Sequence, residues 1–187
     1  MNKAKIKFTV IIFLGLLLAA CSSSAPQTWL VNPKPTPGQI KLKQAILIIQ
    51  QLRQDPAVHF IQVGETIQIV IANDAIFFPC SANLKAWTPA LNATAGLMRQ
   101  LETTSAEVAA FNNDSACTPC CTPSFTQSLS ARQAQVVSEY LWSKGLDTRI
   151  LYPKGYGATQ PLSANPQAWV NRRVEIRFQY IPYEVGR

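Results

Sequence analysis

The spacing of apolar residues predicts a helix followed by a β-hairpin near the start of the folded region. Residues 39–54 combine strong helix formers with one apolar face, which is the pattern of an amphipathic helix. Residues 58–63 and 66–72 are predicted strands, because isoleucines alternate with other residues in the second segment and a Gly-Glu pair separates the two.

The following residues alternate predicted helices and strands. A Thr-Pro pair opens one helix and a glycine closes the other. The helices are predicted at 89–101 and 130–144, the strands at 106–112, 148–155 and 172–180, and a turn-rich loop at 113–128. This order predicts an α/β (α+β) fold, a two-layer β-α-β-α-β-β sandwich of a mixed sheet and helices, with an additional N-terminal helix and a disulfide-bearing loop insertion.

The N-terminus resembles a bacterial lipoprotein signal peptide. Three lysines lie within the first seven residues, and the apolar run 8–18 that follows is too short to span a bilayer comfortably. The segment Leu18–Cys21 resembles a lipobox, which implies that the chain is cut before Cys21 and that this cysteine carries acyl chains. Several acyl chains together anchor a protein stably to a membrane. Ser22, rather than an aspartate, favours the outer membrane.

Composition predicts a packed, mildly basic domain. The chain of 187 residues is 48% hydrophobic and 14% charged, so it is expected to form a core. Its formal charge is +7, but without residues 1–20 the basic residues exceed the acidic ones by only four. No Lys/Arg-rich run is present, and we expect no nucleic-acid partner. The one histidine, His59, has no set of catalytic partners, so we expect no enzyme activity and no cofactor.

Four cysteines besides Cys21 are candidates for disulfides. In an oxidising periplasm disulfides are the default, and four cysteines allow three connectivities. We expect the first of them to pair into the later cluster and so to join two loops. A redox or zinc site is disfavoured, because the C-x-x-C pair lies in a predicted loop and two of the cysteines are adjacent. These candidates are Cys80, Cys117, Cys120 and Cys121.

The chain therefore divides into a targeting part and a folded part. The segment after Cys21 contains four prolines and reads as an extended tether. The predicted divisions are a signal peptide at 1–20, the lipidated cysteine and tether at 21–38, the N-terminal helix at 39–57 and the main domain at 58–187.

Three short motifs stand out in the second half of the chain. Leu129–Ala134 reads LSARQA, Gly155–Gly157 reads GYG with Pro161 four residues later, and Asn171–Ile176 reads NRRVEI. They resemble L-S-x-x-R-A, G-Y-G-x-x-x-P and N-R-R-V-E-I of the OmpA-like C-terminal domain, a module with which many outer-membrane proteins bind peptidoglycan. Their order and spacing make the resemblance specific, and it implies the same sandwich fold.

The resemblance implies a site for the diaminopimelate of the peptidoglycan stem peptide. In the family an aspartate binds the ammonium group and an arginine binds the carboxylate, because charge-assisted hydrogen bonds are strong and directional. Asp114 matches the aspartate, although the residues before it differ from the usual pattern. The arginine position holds Gln133, which together with Ser130 also has the spacing of a helix capping box.

Neighbouring residues offer replacements for the missing arginine. Arg132 precedes Gln133 but points about 100° away around a helix. Arg172, which follows Asn171 in the matched N-R-R motif, is a second candidate cation. Thr126 stands where the family often has asparagine. The expected peptidoglycan-binding residues are therefore Asp114, Arg132, Gln133, Asn171 and Arg172.

The lipobox, tether and cysteine-bearing insertion together resemble OmpA-like lipoproteins of the Dot/Icm, or type IVB, secretion system. This resemblance implies an accessory subunit of an outer-membrane complex, with partner subunits resembling DotC, DotD and DotH. The altered pocket leaves two hypotheses open. The domain tethers the complex to peptidoglycan, or it is a structural scaffold subunit whose pocket no longer binds peptidoglycan.

Overall fold

The computed structural model describes residues 35–113, 122–165 and 168–182. The helices are α1 (Pro37–Gln54), α2 (Asn73–Ile76), α3 (Pro89–Gln100) and α4 (Pro123–Ser143); the strands are β1 (Val58–Val63), β2 (Thr66–Ala72), β3 (Thr103–Phe111), β4 (Leu151–Gly157) and β5 (Arg173–Tyr180); two 3₁₀ turns are Thr148–Ile150 and Trp169–Asn171. None of these described helices is long and apolar enough to cross a membrane.

The five strands form one mixed sheet in the order β1-β2-β5-β3-β4. β3 and β4 are parallel because α4 connects them, and the other neighbours are antiparallel. The last strand thus lies in the middle of the sheet, between β2 and β3. The predicted α+β sandwich with a mixed sheet is confirmed.

Helices cover one face of the sheet. Along β5, Val174, Ile176 and Phe178 are buried in the core with apolar residues of α3 and α4. The residues between them point to the opposite face, because side chains alternate along a strand. That second face carries mostly polar and aromatic side chains.

α4 begins earlier than the sequence predicted. It starts at Pro123, and the hydroxyl of Thr122 caps it by accepting a hydrogen bond from Phe125 N at 3.2 Å. The predicted loop at 113–128 therefore ends before Pro123. The predicted capping box of Ser130 and Gln133 is wrong, because both residues lie in the helix interior.

Smaller differences occur at the ends of other elements. α1 begins at Pro37, since Thr36 and Gln39 form a capping box that the sequence analysis overlooked. α2 was not predicted. Residues 148–150 form a 3₁₀ turn rather than the start of β4.

Candidate ligand site at one end of the sheet

Three buried amide side chains meet where β2 and β3 end. Asn73 follows β2, Asn112 follows β3, and Gln133 reaches them from α4. Gln133 Oε1 accepts hydrogen bonds from Asn112 Nδ2 at 2.7 Å and from Asn73 Nδ2 at 3.2 Å. Asn73 Nδ2 also lies 3.1 Å from Asn112 Oδ1. We call these three residues the amide cluster.

Gln133 uses both ends of its amide group within the protein. Its Nε2 donates to the carbonyl oxygen of Ser81 at 2.8 Å, in the loop between α2 and α3. This contact fixes that loop against α4. The residue at the family's arginine position is therefore neutral and already satisfied by hydrogen bonds. Asn73 Oδ1 is buried and has no hydrogen-bond donor among the described residues.

A pair of opposite charges lies directly beside the amide cluster. Arg172 Nη2 donates to Asp74 Oδ2 at 2.9 Å. The Asp74 side chain is 63% exposed and that of Arg172 is 15% exposed. The two chain segments are joined by a hydrogen bond from Asn73 N to the carbonyl oxygen of Arg172 at 3.0 Å. Both charges thus lie at the same end of the sheet as Gln133.

A second polar cluster occupies the helix-free face at this end. The guanidinium of Arg173 lies 3.8 Å from the centroid of the Phe111 ring and donates to Glu175 Oε1 at 2.6 Å. It also donates to the carbonyl oxygens of Val170 at 2.9 Å and Gln160 at 3.3 Å. Arg173, Glu175 and Phe111, here called the arginine cluster, hold the loop between β4 and β5.

Asn171 organises the same loop from within. Its Oδ1 accepts from the backbone N–H groups of Leu162 and Ser163, at 2.9 and 3.0 Å. Its Nδ2 donates to the carbonyl oxygens of Ser163 and Asn165, both at 2.9 Å. The side chain is buried, so its role in this structure is to close the loop.

The glycines of the G-Y-G motif permit close contact between β4 and α4. A Cβ atom on Gly155 would lie 2.2 Å from the backbone nitrogen of Ala131. Gly157 has φ +55°, and its N–H donates to the Ser130 hydroxyl at 2.8 Å. The motif thus positions α4, and with it Gln133, against the sheet end.

A cavity of about 260 Å³ opens beside the amide cluster. Asn112 contributes to its wall, and the loop after β4 forms most of the remainder with Pro161, Ser163 and Asn171. Among the described residues, its lining contains amide and hydroxyl groups but no charged side chain. The described part of the site therefore offers uncharged cavity walls and, close by, an exposed carboxylate with a partly exposed guanidinium.

The structure places only some of the predicted site residues at this end of the sheet. Gln133 and Arg172 lie at this end of the sheet, and Asn171 lines the cavity. Arg132 is exposed and lies 3.7 Å from Glu139 on the outer face of α4, so it does not join the amide cluster. Asp114 lies outside the described residues.

The described cysteine has an unusual backbone. Cys80 adopts φ +52° in the loop that contacts Gln133, and it is disulfide-bonded. Its partner is not among the described residues. The remaining predicted cysteines, Cys21, Cys117, Cys120 and Cys121, all lie outside those residues, so the connectivity stays a prediction.

Three residues of the site, Asn73, Asp74 and Asn112, were not predicted. Asn73 and Asp74 follow the predicted strand 66–72, and Asn112 is the last residue of the predicted strand 106–112. That placement was a usable signal, but pairing their strands required the position of β5, which no local pattern reveals. Among the described residues, no group of three or more His, Cys, Asp or Glu is arranged to hold a metal.

Comparison with known proteins defines the class. A model of the OmpA family matches residues 77–175, more than half of the chain, and the chain therefore belongs to the OmpA family. No curated protein sequence matches it.

Solved structures with the same fold come from several bacteria. A MotB-like protein from Desulfovibrio vulgaris is 17% identical, with a TM-score of 0.63 over 77% of this chain and 94% of that one. The cell wall anchor of the T6SS from Pseudomonas aeruginosa is 22% identical, with a TM-score of 0.62 over 73% and 97%. The OmpA-like domain of FopA1 from Francisella tularensis is 20% identical, with a TM-score of 0.52 over 67% and 83%.

Proposed function

We propose that this protein is a lipid-anchored periplasmic subunit that links an outer-membrane secretion complex to peptidoglycan. The observation that carries the binding part is the ion pair of Asp74 and Arg172 beside the amide cluster. The family's ligand, a diaminopimelate group, presents an ammonium and a carboxylate. Asp74 and Arg172 supply one group of each complementary charge.

The Asp74 carboxylate is accessible to a ligand, because its side chain is 63% exposed. The Arg172 guanidinium is largely buried, so a ligand that displaces Asp74 has to supply another carboxylate to it. A ligand carboxylate would take the place of Asp74 on Arg172, and the ligand ammonium would bind Asp74 together with Asp114. In this proposal Arg172 replaces the arginine that the family carries at the position of Gln133.

The test is co-sedimentation of the chain from residue 22 onward with purified diaminopimelate-type sacculi. We expect Arg172→Ala to lower the sedimented fraction at least tenfold, and Asp74→Asn and Asp114→Ala to lower it as well. Arg132→Ala is the matched control, because this arginine is exposed on the outer face of α4. It should bind like the unchanged chain.

A scaffold function is the second candidate, and the amide cluster favours it. Gln133 carries no charge and already bonds Asn112, Asn73 and Ser81, so the family's carboxylate contact is absent at that position. If the folded, oxidised chain does not sediment with sacculi, the domain is a scaffold. Equal binding by the Arg172→Ala and Arg132→Ala variants would instead reject the proposed ligand contacts.

The anchor and the location rest on the lipobox. We propose that Cys21 is acylated and holds the domain at the periplasmic face of the outer membrane. Radiolabelled palmitate should label the unchanged chain but not Cys21→Ser, and the variant should move from the membrane to the soluble fraction. Labelling of both would show that the lipid is attached elsewhere.

The complex itself is proposed from the resemblance to DotK, also called IcmN, of type IVB secretion systems. Subunits resembling DotC, DotD and DotH should co-purify with the anchored chain from mildly solubilised membranes. Their absence, with the anchor intact, would restrict the proposal to a cell-wall tether outside that system.

A further inference from the structure

The outward half of α1 carries a concentration of exposed aliphatic side chains. α1 packs on α3 and β1, with Ala45 and Leu52 buried beneath it. Four of the twelve large hydrophobic residues exposed in the described part of the chain lie on this one helix, with exposures between 36% and 56%. Such a concentration is typical of an interaction surface. These four residues, here called the outer face of α1, are Ile40, Leu42, Ile46 and Leu47.

Basic residues accompany these side chains, and the helix itself contains no acidic residue. Its charged residues are Lys41, Lys43 and Arg53. The acidic residues next to α1 lie at its ends, since Glu102 pairs with Lys41 at 2.8 Å near the beginning and Asp55 follows the last turn. Lys43 lies among the exposed aliphatic residues and is itself exposed. The middle of the outer face is therefore apolar and positively charged, which complements a surface of anionic lipid headgroups.

α1 is also the helix nearest in sequence to the proposed membrane anchor. It begins at Pro37, and 15 residues separate this proline from Cys21. An extended chain spans at most about 3.6 Å per residue, so α1 begins within about 60 Å of the lipid attachment. Confinement to this distance raises the effective concentration of the membrane surface around α1, so that even a weak contact with it is occupied.

We propose that the outer face of α1 binds the anionic lipid surface of the membrane that holds Cys21. This inference rests on the acylation of Cys21 proposed above. The aliphatic side chains enter the boundary between headgroups and acyl chains, while Lys43 contacts lipid phosphate groups. α1 then lies in the plane of the membrane surface, and the acyl chains and the helix hold the domain at two separate points.

The test is flotation of the chain from residue 22 onward with lipid vesicles. This chain carries no acyl group, and the part from Pro35 onward forms a compact unit by itself. Vesicles of equal parts phosphatidylglycerol and phosphatidylethanolamine should bind it, and vesicles of phosphatidylcholine should bind at least fivefold less. Leu47→Glu should lower binding to the anionic vesicles at least fivefold. Leu162→Glu is the matched control, because this leucine is 63% exposed in the loop between β4 and β5, and it should float like the unchanged chain.

The contribution of the positive charge is measured in the same assay. Lys43→Gln should lower binding to the anionic vesicles about threefold, and added salt should weaken the binding of the unchanged chain because it screens the attraction. Arg132→Gln is the matched control, since it removes the same charge from the exposed side of α4. It should bind like the unchanged chain.

Loss of binding in both α1 variants, with both controls still bound, supports the membrane contact. The proposal is wrong if the unchanged chain does not float with anionic vesicles, or if the controls lose as much binding as the α1 variants. It is also wrong if Leu47→Glu abolishes self-association in solution and leaves flotation unchanged, because a second copy then covers the outer face. Palmitate labelling and sacculus binding are measured separately, so failure of this contact is distinguishable from failure of the proposed function.

Discussion

The two polar clusters at this end of the sheet are built on opposite principles. The arginine cluster keeps a buried charge pair, Arg173 with Glu175, and uses it to hold a loop. The amide cluster, on the helix side, joins the neutral side chains of Gln133, Asn112 and Asn73. The comparison teaches that one end of a sheet can be braced by a buried charge pair on one face and by uncharged amides on the other.

The largest expected effect tests the arginine cluster. Arg173→Met leaves the carboxylate of Glu175 buried without its main partner, and breaking a buried pair in this way costs about 3–5 kcal/mol. We expect the free energy of unfolding in urea to fall by that amount. Arg177→Met is the matched control: Arg177 is half exposed and 4.0 Å from the same carboxylate, so its loss should change stability by less than about 1 kcal/mol. Similar losses for both variants would show that Arg173 is not a special brace.

The family motifs explain why β5 and the region around the arginine cluster could be predicted from the sequence. The match at Asn171–Ile176 located β5 within one residue. Gly155 and Gly157 were recognised as a family motif, and the structure adds that they permit the close contact between β4 and α4. These residues are fixed by backbone geometry and packing, which a sequence motif records directly.

The amide cluster was less predictable because its partners are distant in sequence. Gln133 was identified at the family's arginine position, but its interpretation as a helix cap failed once Thr122 capped α4. Asn73 and Asn112 lie 60 and 21 residues away from Gln133. Only the insertion of β5 between β2 and β3 brings their two strand ends to the same place.

A smaller loss of stability is expected when the amide cluster is disrupted. Gln133→Leu removes the hydrogen bonds of Gln133 to Asn112 Nδ2 and to the carbonyl oxygen of Ser81, while Asn73 Nδ2 keeps its contact with Asn112 Oδ1. Unsatisfied buried polar groups cost about 1–3 kcal/mol, so the free energy of unfolding should fall by less than for Arg173→Met. Gln135→Leu, on the exposed side of the same helix, is the control and should change stability by no more than about 0.5 kcal/mol. A loss as large as that of Arg173→Met would remove the energetic contrast between the clusters.

Restoring the family's charge sharpens the comparison further. Gln133→Arg places a guanidinium among amide oxygens without a carboxylate, and we expect a loss of about 1–2 kcal/mol in stability. The same variant should raise sacculus binding about tenfold, since it adds a charged contact for the ligand carboxylate. Co-sedimentation measures this, with Gln135→Arg as a control for the added positive charge. Equal gains for both variants would show that net charge, and not the position of Gln133, governs binding.

The smallest effect is expected at an ion pair outside both clusters. The guanidinium and the backbone N–H of Arg149 donate hydrogen bonds to the Asp147 carboxylate and hold its pKa at about 2, below the ordinary value for an aspartate. Because the folded-state pKa is the lower one, this pair stabilises the fold above pH 4, and its contribution is lost as the pH falls toward 2. Asp147→Asn should therefore flatten the pH dependence of the unfolding free energy only in that acidic range. At pH 7 the exposed pair should have a minor effect, well below that of Arg173→Met. Urea titrations of both variants at pH 2, 4 and 7 measure these unfolding free energies. If Asp147→Asn lowered the unfolding free energy at pH 7 as much as Arg173→Met does, burial would not explain the difference between the two ion pairs.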